Sequence, residues 1–430
     1  MSKLILRELG PVHDCQMDVQ RFTVLTGSQA SGKIAKAIFF FRTVAQDVIG
    51  QMQTRNLVDA YRTTLENDLK KRLRNKFLQI FGSSWAISQA MKLRYEYARW
   101  VTIELYLVPD RNAPYRNFVE FQFGEKIVDF LKKYDDYAEQ TWDEQSWKDV
   151  QREINELFSD GYETIYVPAG RSLITLLTDQ LVSILSSDEG RSLDFCMQAY
   201  VRRILSIRSQ IRGGFSHLLD EVLHTTQIKV DRETLRYMER LMKKVLHVRY
   251  SYDRGEEQLF FDDHRYVKIN FSSSGQQEAI WVFNILYFYL LQNQKVFLIV
   301  EEPEAHLYPD SQKGIAEAIG LFAGVGNQVF VTTHSPYILG QFNNMLYAGA
   351  IEKKAKGGDA EKLHDILNPL SYIKAAEAYA AYVCDGKVDS AVNEGLIRNE
   401  LIDGVSIEIN GEMDRLLELG WALEGEAQNA

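Results

Sequence analysis

A glycine-rich segment between a predicted strand and a predicted helix constrains the fold most. Residues 18–26 (DVQRFTVLT) are typical of a strand, GSQASGK follows, and IAKAIFFFRTVAQDVIG then predicts a helix. This order is the context of a phosphate-binding loop, because N–H groups of the loop and of the first helical turn point at the anion. The segment predicts an α/β fold with a phosphate site. The candidate residues are Gly27, Ser28, Gln29, Ala30, Ser31, Gly32 and Lys33.

A second segment, SSSGQQE at Ser272–Glu278, precedes the apolar run AIWVFNILYFYLL at Ala279–Leu291. Small polar residues at a helix start leave backbone N–H groups unpaired, and the helix dipole favours an anion there. The segment predicts a second phosphate-facing helix N-terminus. A serine-rich helix cap with no ligand is the alternative.

Paired carboxylates follow a predicted buried strand in KVFLIVEEPEAHLYP, Lys295–Pro309. The five apolar residues Val296–Val300 predict a strand covered on both faces, with Glu301 and Glu302 at its carboxyl end. In such a pair Glu301 would hold magnesium, and Glu302 would orient and deprotonate an attacking water. Two solvated carboxylates at the start of a loop are the alternative.

One more buried strand is predicted in NQVFVTTHSPYIL, Asn327–Leu339, and it ends at His334. A histidine at this end of the next strand can reach a terminal phosphate. A third apolar strand, in ETIYVPAGRS at Glu163–Ser172, ends in a Pro-Ala-Gly turn, after which we expect Arg171 to be exposed.

Composition limits the classes of partner and the compartment. The 430 residues carry a formal net charge of −10, so the whole molecule is not a polycation suited to nucleic acid. Cys15, Cys196 and Cys384 are far apart, which argues against a disulfide framework or zinc site and suits a reducing cytosol. The Ala279–Leu291 run is too short to span a bilayer. We expect a cytoplasmic protein with no membrane partner.

Between these motifs the pattern predicts a helix over 54–81, antiparallel strands over 92–124, and helices over 126–159 and 173–247. Strands are expected near 248–271. Two basic segments, Lys70–Lys76 (KKRLRNK) and Arg202–Arg212 (RRILSIRSQIR), are either solvated helix faces or nucleic-acid contacts.

Four motifs occur in one order: the glycine loop, the Ser-Gly-Gln helix cap, the strand with Glu-Glu and the strand with His. This order resembles the ATP-binding-cassette ATPases, and most closely the branch that contains OLD-family and SMC-like heads. That branch characteristically has EEPEAHLHP, and EEPEAHLYP here differs at one position. THSP matches its switch-histidine segment. The resemblance covers residues 1–50 and about 160–345.

The resemblance implies an α/β ATPase head with a mixed central β-sheet, an antiparallel β portion and helical insertions. Its core would comprise 1–50 and 160–345, with a helical lobe at 173–247. Residues 51–159 would form an insertion, and residues 346–430 an α/β tail packed on the core.

The resemblance also implies ATP and Mg²⁺ as cofactors and a role for each motif. Gly27, Gly32 and Lys33 would cradle the phosphates of one ATP, while Ser273, Gly275 and Gln276 would close over the ATP of a second copy. Glu301 matches the magnesium-associated carboxylate, Glu302 the catalytic glutamate and His334 the switch histidine. Arg171 lies in a segment common in this branch. Which residue corresponds to the glutamine that senses magnesium in the family is left open by the sequence.

Ile34 departs from the family pattern, in which the loop lysine is followed by Ser-Thr. The sequence aligns best if two residues are missing between Lys33 and Ile34. Such a gap rotates the remainder of the helix by roughly 200° relative to the loop and removes the hydroxyl ligand of magnesium. A natural loss, a deliberate inactivating change and an omission from the recorded sequence remain open.

Stand-alone ATPases of this branch resemble components of bacterial anti-phage systems. The resemblance implies a switch or scaffold that acts as a head-to-tail dimer or higher oligomer and controls a separately encoded nuclease or toxin. The alternative is an SMC-like, DNA-associated ATPase that uses the two basic segments. Asp385, Asp389 and Glu394 in the tail lack the arrangement of a two-metal nuclease site, so we expect a structural tail.

Overall fold

The computed structural model describes most of the chain. The described residues are 2–27, 31–56, 59, 62–82, 90–110, 113–137, 142–159, 161–172, 174, 193–211, 214–225, 231–253, 255–262 and 264–428.

Sixteen strands occur within these residues. They are β1 (Ser2–Leu9), β2 (Val12–Val19), β3 (Phe22–Gly27), β4 (Lys92–Ala98), β5 (Val101–Asp110), β6 (Ala113–Phe123), β7 (Glu163–Val167), β8 (Arg249–Asp253), β9 (Glu256–Phe260), β10 (Tyr266–Lys268), β11 (Val296–Glu301), β12 (Gln328–Thr333), β13 (Ala378–Cys384), β14 (Lys387–Ser390), β15 (Val392–Asn393) and β16 (Leu396–Ile397).

Thirteen α-helices occur in the same described part of the chain. They are α1 (Ser31–Arg42), α2 (Val44–Thr54), α3 (Leu65–Phe81), α4 (Glu125–Lys133), α5 (Glu144–Leu157), α6 (Phe195–Gln210), α7 (Gly214–Thr225), α8 (Arg232–Leu246), α9 (Ser274–Leu291), α10 (Pro309–Gly324), α11 (Pro336–Ile351), α12 (Gly358–Ile366) and α13 (Asn399–Gln428).

One sheet of eleven strands organises the molecule, in the order β6-β5-β4-β1-β2-β14-β13-β3-β12-β11-β7. The half from β13 to β7 is parallel, and the half from β6 to β2 is antiparallel. The β13–β14 hairpin joins them, because β13 pairs with β3 and β14 pairs with β2. The predicted α/β fold class with a mixed sheet and an antiparallel portion is confirmed.

Alternate residues of the parallel strands enter two apolar cores, one on each face of the sheet. In β11, Val296, Leu298 and Val300 pack in the core that contains α9, α10 and α11, whereas Phe297 and Ile299 pack in the core that contains α1 to α5. All six residues of β11 are buried, as the continuous apolar run predicts for a strand covered on both faces.

Several predicted elements differ from the observed ones in their bounds. The helix expected over 54–81 begins only at Leu65, where the Thr64 hydroxyl accepts a hydrogen bond from the Asn67 N–H. The helix expected to start at Ile34 is two helices, α1 and α2, separated by Thr43. The strands expected over 92–124 and near 248–271 are confirmed as β4–β6 and β8–β10. The division into core, insertion and tail stays a prediction.

Ion pairs neutralise most of the first basic segment and part of the second. In the Lys70–Lys76 segment of α3, four of the five basic side chains pair with carboxylates, and Lys76 is buried. The pairs are Lys70–Glu66, Arg72–Asp47, Arg74–Glu120 and Lys76–Asp47. In α6, Arg203 pairs with Glu163 and Arg208 pairs with buried Glu257, while Arg212 lies outside the described residues.

The described helices can be compared with the dimensions of a lipid bilayer. Within the described ranges, none of the helices has the length and apolar character that crossing a bilayer requires.

Candidate functional site

Three of the sequence-predicted site residues, Gly27, Glu301 and His334, lie at one edge of the parallel half of the sheet. Strands β3, β12, β11 and β7 are adjacent and parallel, so their carboxyl ends lie side by side. Gly27 ends β3, Glu301 ends β11, and His334 follows β12 directly. Ligands of open α/β sheets bind outside this edge, and the topology places Gly27, the carboxylates and the histidine along it.

Gly27, the last residue of β3, lies very close to strand β13. Gly27 has a φ of +135°, and a Cβ built on it would lie 2.3 Å from the Val383 carbonyl oxygen. Only glycine fits this position without displacing the loop or the strand. Ser28, Gln29 and Ala30 lie outside the described residues, while Ser31, Gly32 and Lys33 form the first turn of α1.

We expect Gly27→Ala to lower the free energy of unfolding by about 2 kcal/mol or more, because it adds a backbone clash to a conformation that costs other residues about 1–3 kcal/mol. Gly170→Ala is the matched control, since Gly170 also has a positive φ, +69°, but has open space around its Cβ position. Urea unfolding of both variants measures the difference. Equal midpoints would show that the contact with Val383 does not constrain the loop.

The residues after the loop lysine remain core residues. Ile34, Ala35 and Ile38 are completely buried in α1. Because these side chains are held by packing, we expect a deletion between Lys33 and Ile34 to alter the glycine loop rather than the core. Ile34 itself supplies no hydroxyl for a metal ion.

Glu301 lies directly against the start of α1. A Cβ on Gly32 would be 2.8 Å from the Glu301 Oε1 atom, so the carboxylate touches the glycine loop's helix. Its Oε2 atom accepts a hydrogen bond from the Ala169 N–H at 3.2 Å, in the turn after β7. Burial raises the pKa of the Glu301 carboxyl above its ordinary value, while the nearby Lys36 ammonium opposes that rise.

Lys36 is a site residue that sequence reasoning missed. It pairs with Asp194 at the start of α6, and its charge also acts on Glu301. No motif marks this lysine, because it lies on the helix three residues beyond Lys33 and reaches the carboxylates only through the fold.

Glu302 and His334 face the same accessible space. The Glu302 Oε1 atom lies 3.7 Å from the His334 Nε2 atom, and both side chains are about two-fifths exposed. The Glu302 backbone has a φ of +44°, which is uncommon for a residue other than glycine. Its N–H donates to the Thr332 carbonyl at 2.9 Å, which fixes the carboxyl ends of β11 and β12 together.

Glu304, the third glutamate of EEPEAHLYP, holds the histidine segment. Its Oε1 atom accepts hydrogen bonds from the Thr333 hydroxyl at 2.8 Å and from the His334 N–H at 2.7 Å. The Oε2 atom is buried, with no hydrogen-bond partner among the described residues. The motif contained this residue, but only its spatial contact with His334 assigns it a positioning role.

One carboxylate at this edge is suited to a magnesium nucleotide. No cluster of three or more His, Cys, Asp or Glu side chains able to hold a metal occurs among the residues that the structure describes. Mg²⁺ commonly takes one or two carboxylates and completes its shell with waters and substrate phosphates. Glu301 beside Gly32 supplies such a carboxylate next to a helix N-terminus suited to phosphate.

The Ser-Gly-Gln segment caps helix α9. The Ser273 hydroxyl accepts from the Gln276 N–H at 3.3 Å, and the Gln276 Oε1 atom accepts from the Ser273 N–H at 3.2 Å. This reciprocal pair is a capping box. Gly275 is packed so closely that a Cβ on it would lie 2.7 Å from the His306 carbonyl oxygen. The helix N-terminus therefore packs on the loop that follows Glu301 and Glu302.

Arg171 is buried, and the expectation that it is exposed is wrong. Its side chain has no solvent exposure and forms an ion pair with Glu278, which is also buried. The guanidinium donates to four backbone carbonyls: from Nε to Glu278 (3.1 Å), from Nη1 to Pro168 (2.8 Å) and Glu301 (2.6 Å), and from Nη2 to Glu302 (3.1 Å).

The Glu278 carboxylate completes this connection. It accepts hydrogen bonds from the Arg171 N–H at 3.1 Å and the Ser172 N–H at 3.0 Å. Arg171 and Glu278 together join the end of β7, the first turns of α9 and the carboxyl end of β11. The pair thus links the helix that starts at the Ser-Gly-Gln cap to the backbone that carries Glu301 and Glu302.

Comparison with known structures finds low identity to SMC heads. The chain is similar to an SmcHead bound to the C-winged helix domain of ScpA (13% identity, 91% of this chain, 97% of that chain, TM-score 0.41). It is also similar to an Smc head domain with an extended coiled coil bound to the C-terminal domain of ScpA, derived from Pyrococcus furiosus (12% identity, 95% of this chain, 100% of that chain, TM-score 0.37). A third similar structure is the SMC head domain from Thermotoga maritima (10% identity, 91% of this chain, 98% of that chain, TM-score 0.35).

No curated protein matches the chain in sequence. The AAA ATPase domain family matches residues 48–339, which is more than half of the 430 residues. The match includes the Ser-Gly-Gln cap, both carboxylates and His334, and it begins after the glycine loop. The chain therefore belongs to the AAA ATPase domain family.

Proposed function

We propose that this chain binds ATP with Mg²⁺ at the edge formed by β3, β11 and β12, and that ATP controls it as a switch or scaffold. The observation that carries the proposal is the position of Glu301 against Gly32, with Glu302 and His334 beside it at the same sheet edge. This juxtaposition brings a carboxylate, an acid–base candidate and a phosphate-facing helix N-terminus together.

Each residue has a proposed role at this site. The loop from Gly27 to Lys33 holds the phosphates through N–H groups and the lysine charge, and Glu301 holds magnesium. When bound, ATP would supply the electrophilic phosphorus, and Mg²⁺ would neutralise negative charge on the phosphate oxygens. With ATP bound, Glu302 would orient a water and accept its proton, and His334 would contact the terminal phosphate. Glu304 keeps the His334 backbone in place through its 2.7 Å hydrogen bond.

Hydrolysis is the impaired part of this function. Without Ser or Thr after Lys33, the chain lacks the hydroxyl that usually holds magnesium. We propose that the chain as given retains phosphate binding through Lys33 and the helix N-terminus, and that its ATP turnover is low.

Self-association and a defence role complete the proposal. Ser273, Gly275 and Gln276 would close over the ATP of a second copy, which gives a head-to-tail dimer or higher oligomer. The motif EEPEAHLYP supports the OLD-like branch, and with it control of a separate nuclease or toxin in anti-phage defence. Phage plating on cells that carry the chain and its neighbouring genes, with Glu302→Gln as the comparison, tests this role.

The alternative is an SMC-like ATPase that acts on DNA. It would use the basic segments, but four of five basic residues in Lys70–Lys76 are already paired within the chain. The ion pairs therefore favour the switch or scaffold. DNA binding that weakens steeply as salt is raised would support the alternative instead.

We expect Lys33→Ala to weaken ATP binding by about tenfold to 100-fold, because a charge-assisted hydrogen bond contributes roughly 1.5–3 kcal/mol. Isothermal titration calorimetry with ATP and Mg²⁺ measures the affinity. Lys71→Ala is the matched control, since Lys71 is exposed on α3. If Lys33→Ala and Lys71→Ala bind ATP equally well, the glycine loop is not the nucleotide site.

A further inference from the structure

Helix α13 carries a row of exposed apolar side chains that the nucleotide site does not use. We name Val405, Ile409, Met413, Leu416 and Leu419 the α13 stripe. Each is more than half exposed, from 54% for Met413 to 71% for Val405. Successive members are three or four residues apart, so they lie on one face of the helix.

The helix leaves the body of the protein after its first turns. Leu401 and Ile402 pack against the apolar core, and the Ile402 side chain lies near Gly340 of α11. From Val405 onward the described large apolar side chains are exposed. The stripe presents on the order of 600 Å² of apolar surface, which is at the upper limit for a typical monomer and close to one side of a standard interface.

The composition of α13 does not favour an isolated helix. The helix contains four glycines, Gly404, Gly411, Gly420 and Gly425, each of which costs on the order of 1 kcal/mol relative to alanine. Helices are stabilised mainly by packing of an apolar face. A glycine-rich helix with its apolar face in water lacks that contribution.

Charge placement decides which partner fits. Asp403, Asp414 and Glu418 lie on the arc opposite the stripe, at 100° of rotation per residue. A basic helix attracted to these acids would not contact the apolar stripe. The stripe side itself carries Glu408 and Glu412 and, three residues after Glu412, Arg415, so it offers both an acid and a base to a partner.

We propose that the α13 stripe pairs with the same stripe of a second copy of this chain, with the two helices antiparallel. An antiparallel pair centred near residues 413 and 414 places Glu412 of each copy beside Arg415 of the other. In a parallel pair, equal positions face each other, so Glu412 would meet Glu412. The interface is isologous and uses one patch twice.

The first experiment measures the oligomeric state of the full chain without nucleotide by analytical ultracentrifugation. We expect a dimer whose dissociation constant rises at least tenfold in Ile409→Lys and does not change in Asn410→Lys, which adds the same charge beside the stripe. A monomeric parent chain, or equal dissociation constants for the two variants, would overturn the proposal. Because this measurement uses no nucleotide, a monomeric result would overturn the α13 pairing without contradicting the proposed ATP site.

A second experiment tests the orientation and does not depend on destabilising variants. In a Cys384→Ser background, which removes the exposed cysteine, single cysteines are placed at Met413 and at Leu419. Mild oxidation should cross-link Met413→Cys copies, which lie near the two-fold axis, several times faster than Leu419→Cys copies. Equal rates at both positions, or no cross-link at either, would contradict the antiparallel pair.

Discussion

Replacing Arg171 by alanine is expected to lower the free energy of unfolding by about 3–5 kcal/mol, the cost of breaking a buried ion pair from one side. The change leaves the Glu278 carboxylate buried without its cation and removes donors from four backbone carbonyls. The free energy of unfolding of Arg171→Lys should lie between those of the parent chain and Arg171→Ala. Lysine keeps the charge but lacks the planar guanidinium that reaches several carbonyls.

Urea unfolding followed by circular dichroism measures this effect. Arg202→Ala is the matched control, because Arg202 is exposed on α6 and its only described contact is a 3.5 Å hydrogen bond to Gln198. The double variant Arg171→Met, Glu278→Met should cost less than the sum of the two single changes, since it leaves no orphaned charge. Similar midpoints for Arg171→Ala and Arg202→Ala would contradict the linking role.

Inserting Ser-Thr between Lys33 and Ile34 is expected to raise magnesium-dependent ATP turnover by at least about 100-fold, the order of effect of one transition-state contact. The insertion supplies the missing hydroxyl and changes the rotation between loop and helix by roughly 200°. Ile34 and Ile38 are buried in the core, so we expect the two added residues to lengthen the segment that precedes Ile34.

Ala-Ala at the same position separates length from chemistry. It restores the spacing without the hydroxyl, so we expect ATP binding close to that of the Ser-Thr variant and much slower turnover. A coupled phosphate-release assay measures all three chains. If the chain as given already hydrolyses ATP as fast as the Ser-Thr variant, Ile34 is tolerated and the proposed gap is wrong.

The sequence was most informative where apolar strands end in polar residues. The apolar runs before Glu301 and His334 predict buried strands. Once two such strands pair in parallel, their carboxyl ends lie at one edge of the sheet. Their roles in catalysis, like the roles of Gly27 to Lys33, remain proposals.

Arg171 shows where local pattern fails. PAGRS reads as an exposed turn, but burial of Arg171 depends on Glu278, 107 residues further along the chain. No local signal reports such a partner, and a charged residue is rarely buried unless it is paired. The basic segments fail in the same way, because the carboxylates that pair with Lys76 and Arg208 lie on other elements.

The most direct test of the ATPase account is turnover by the Ser-Thr-restored chain beside the same chain with Glu302→Gln. We expect Glu302→Gln to lower turnover by about 10²–10⁴-fold, as for loss of a general base, and to leave ATP binding unchanged. Glu361→Gln, an exposed glutamate on α12, should leave turnover unaltered. Equal turnover with and without Glu302 would contradict the assignment of this sheet edge as the catalytic site.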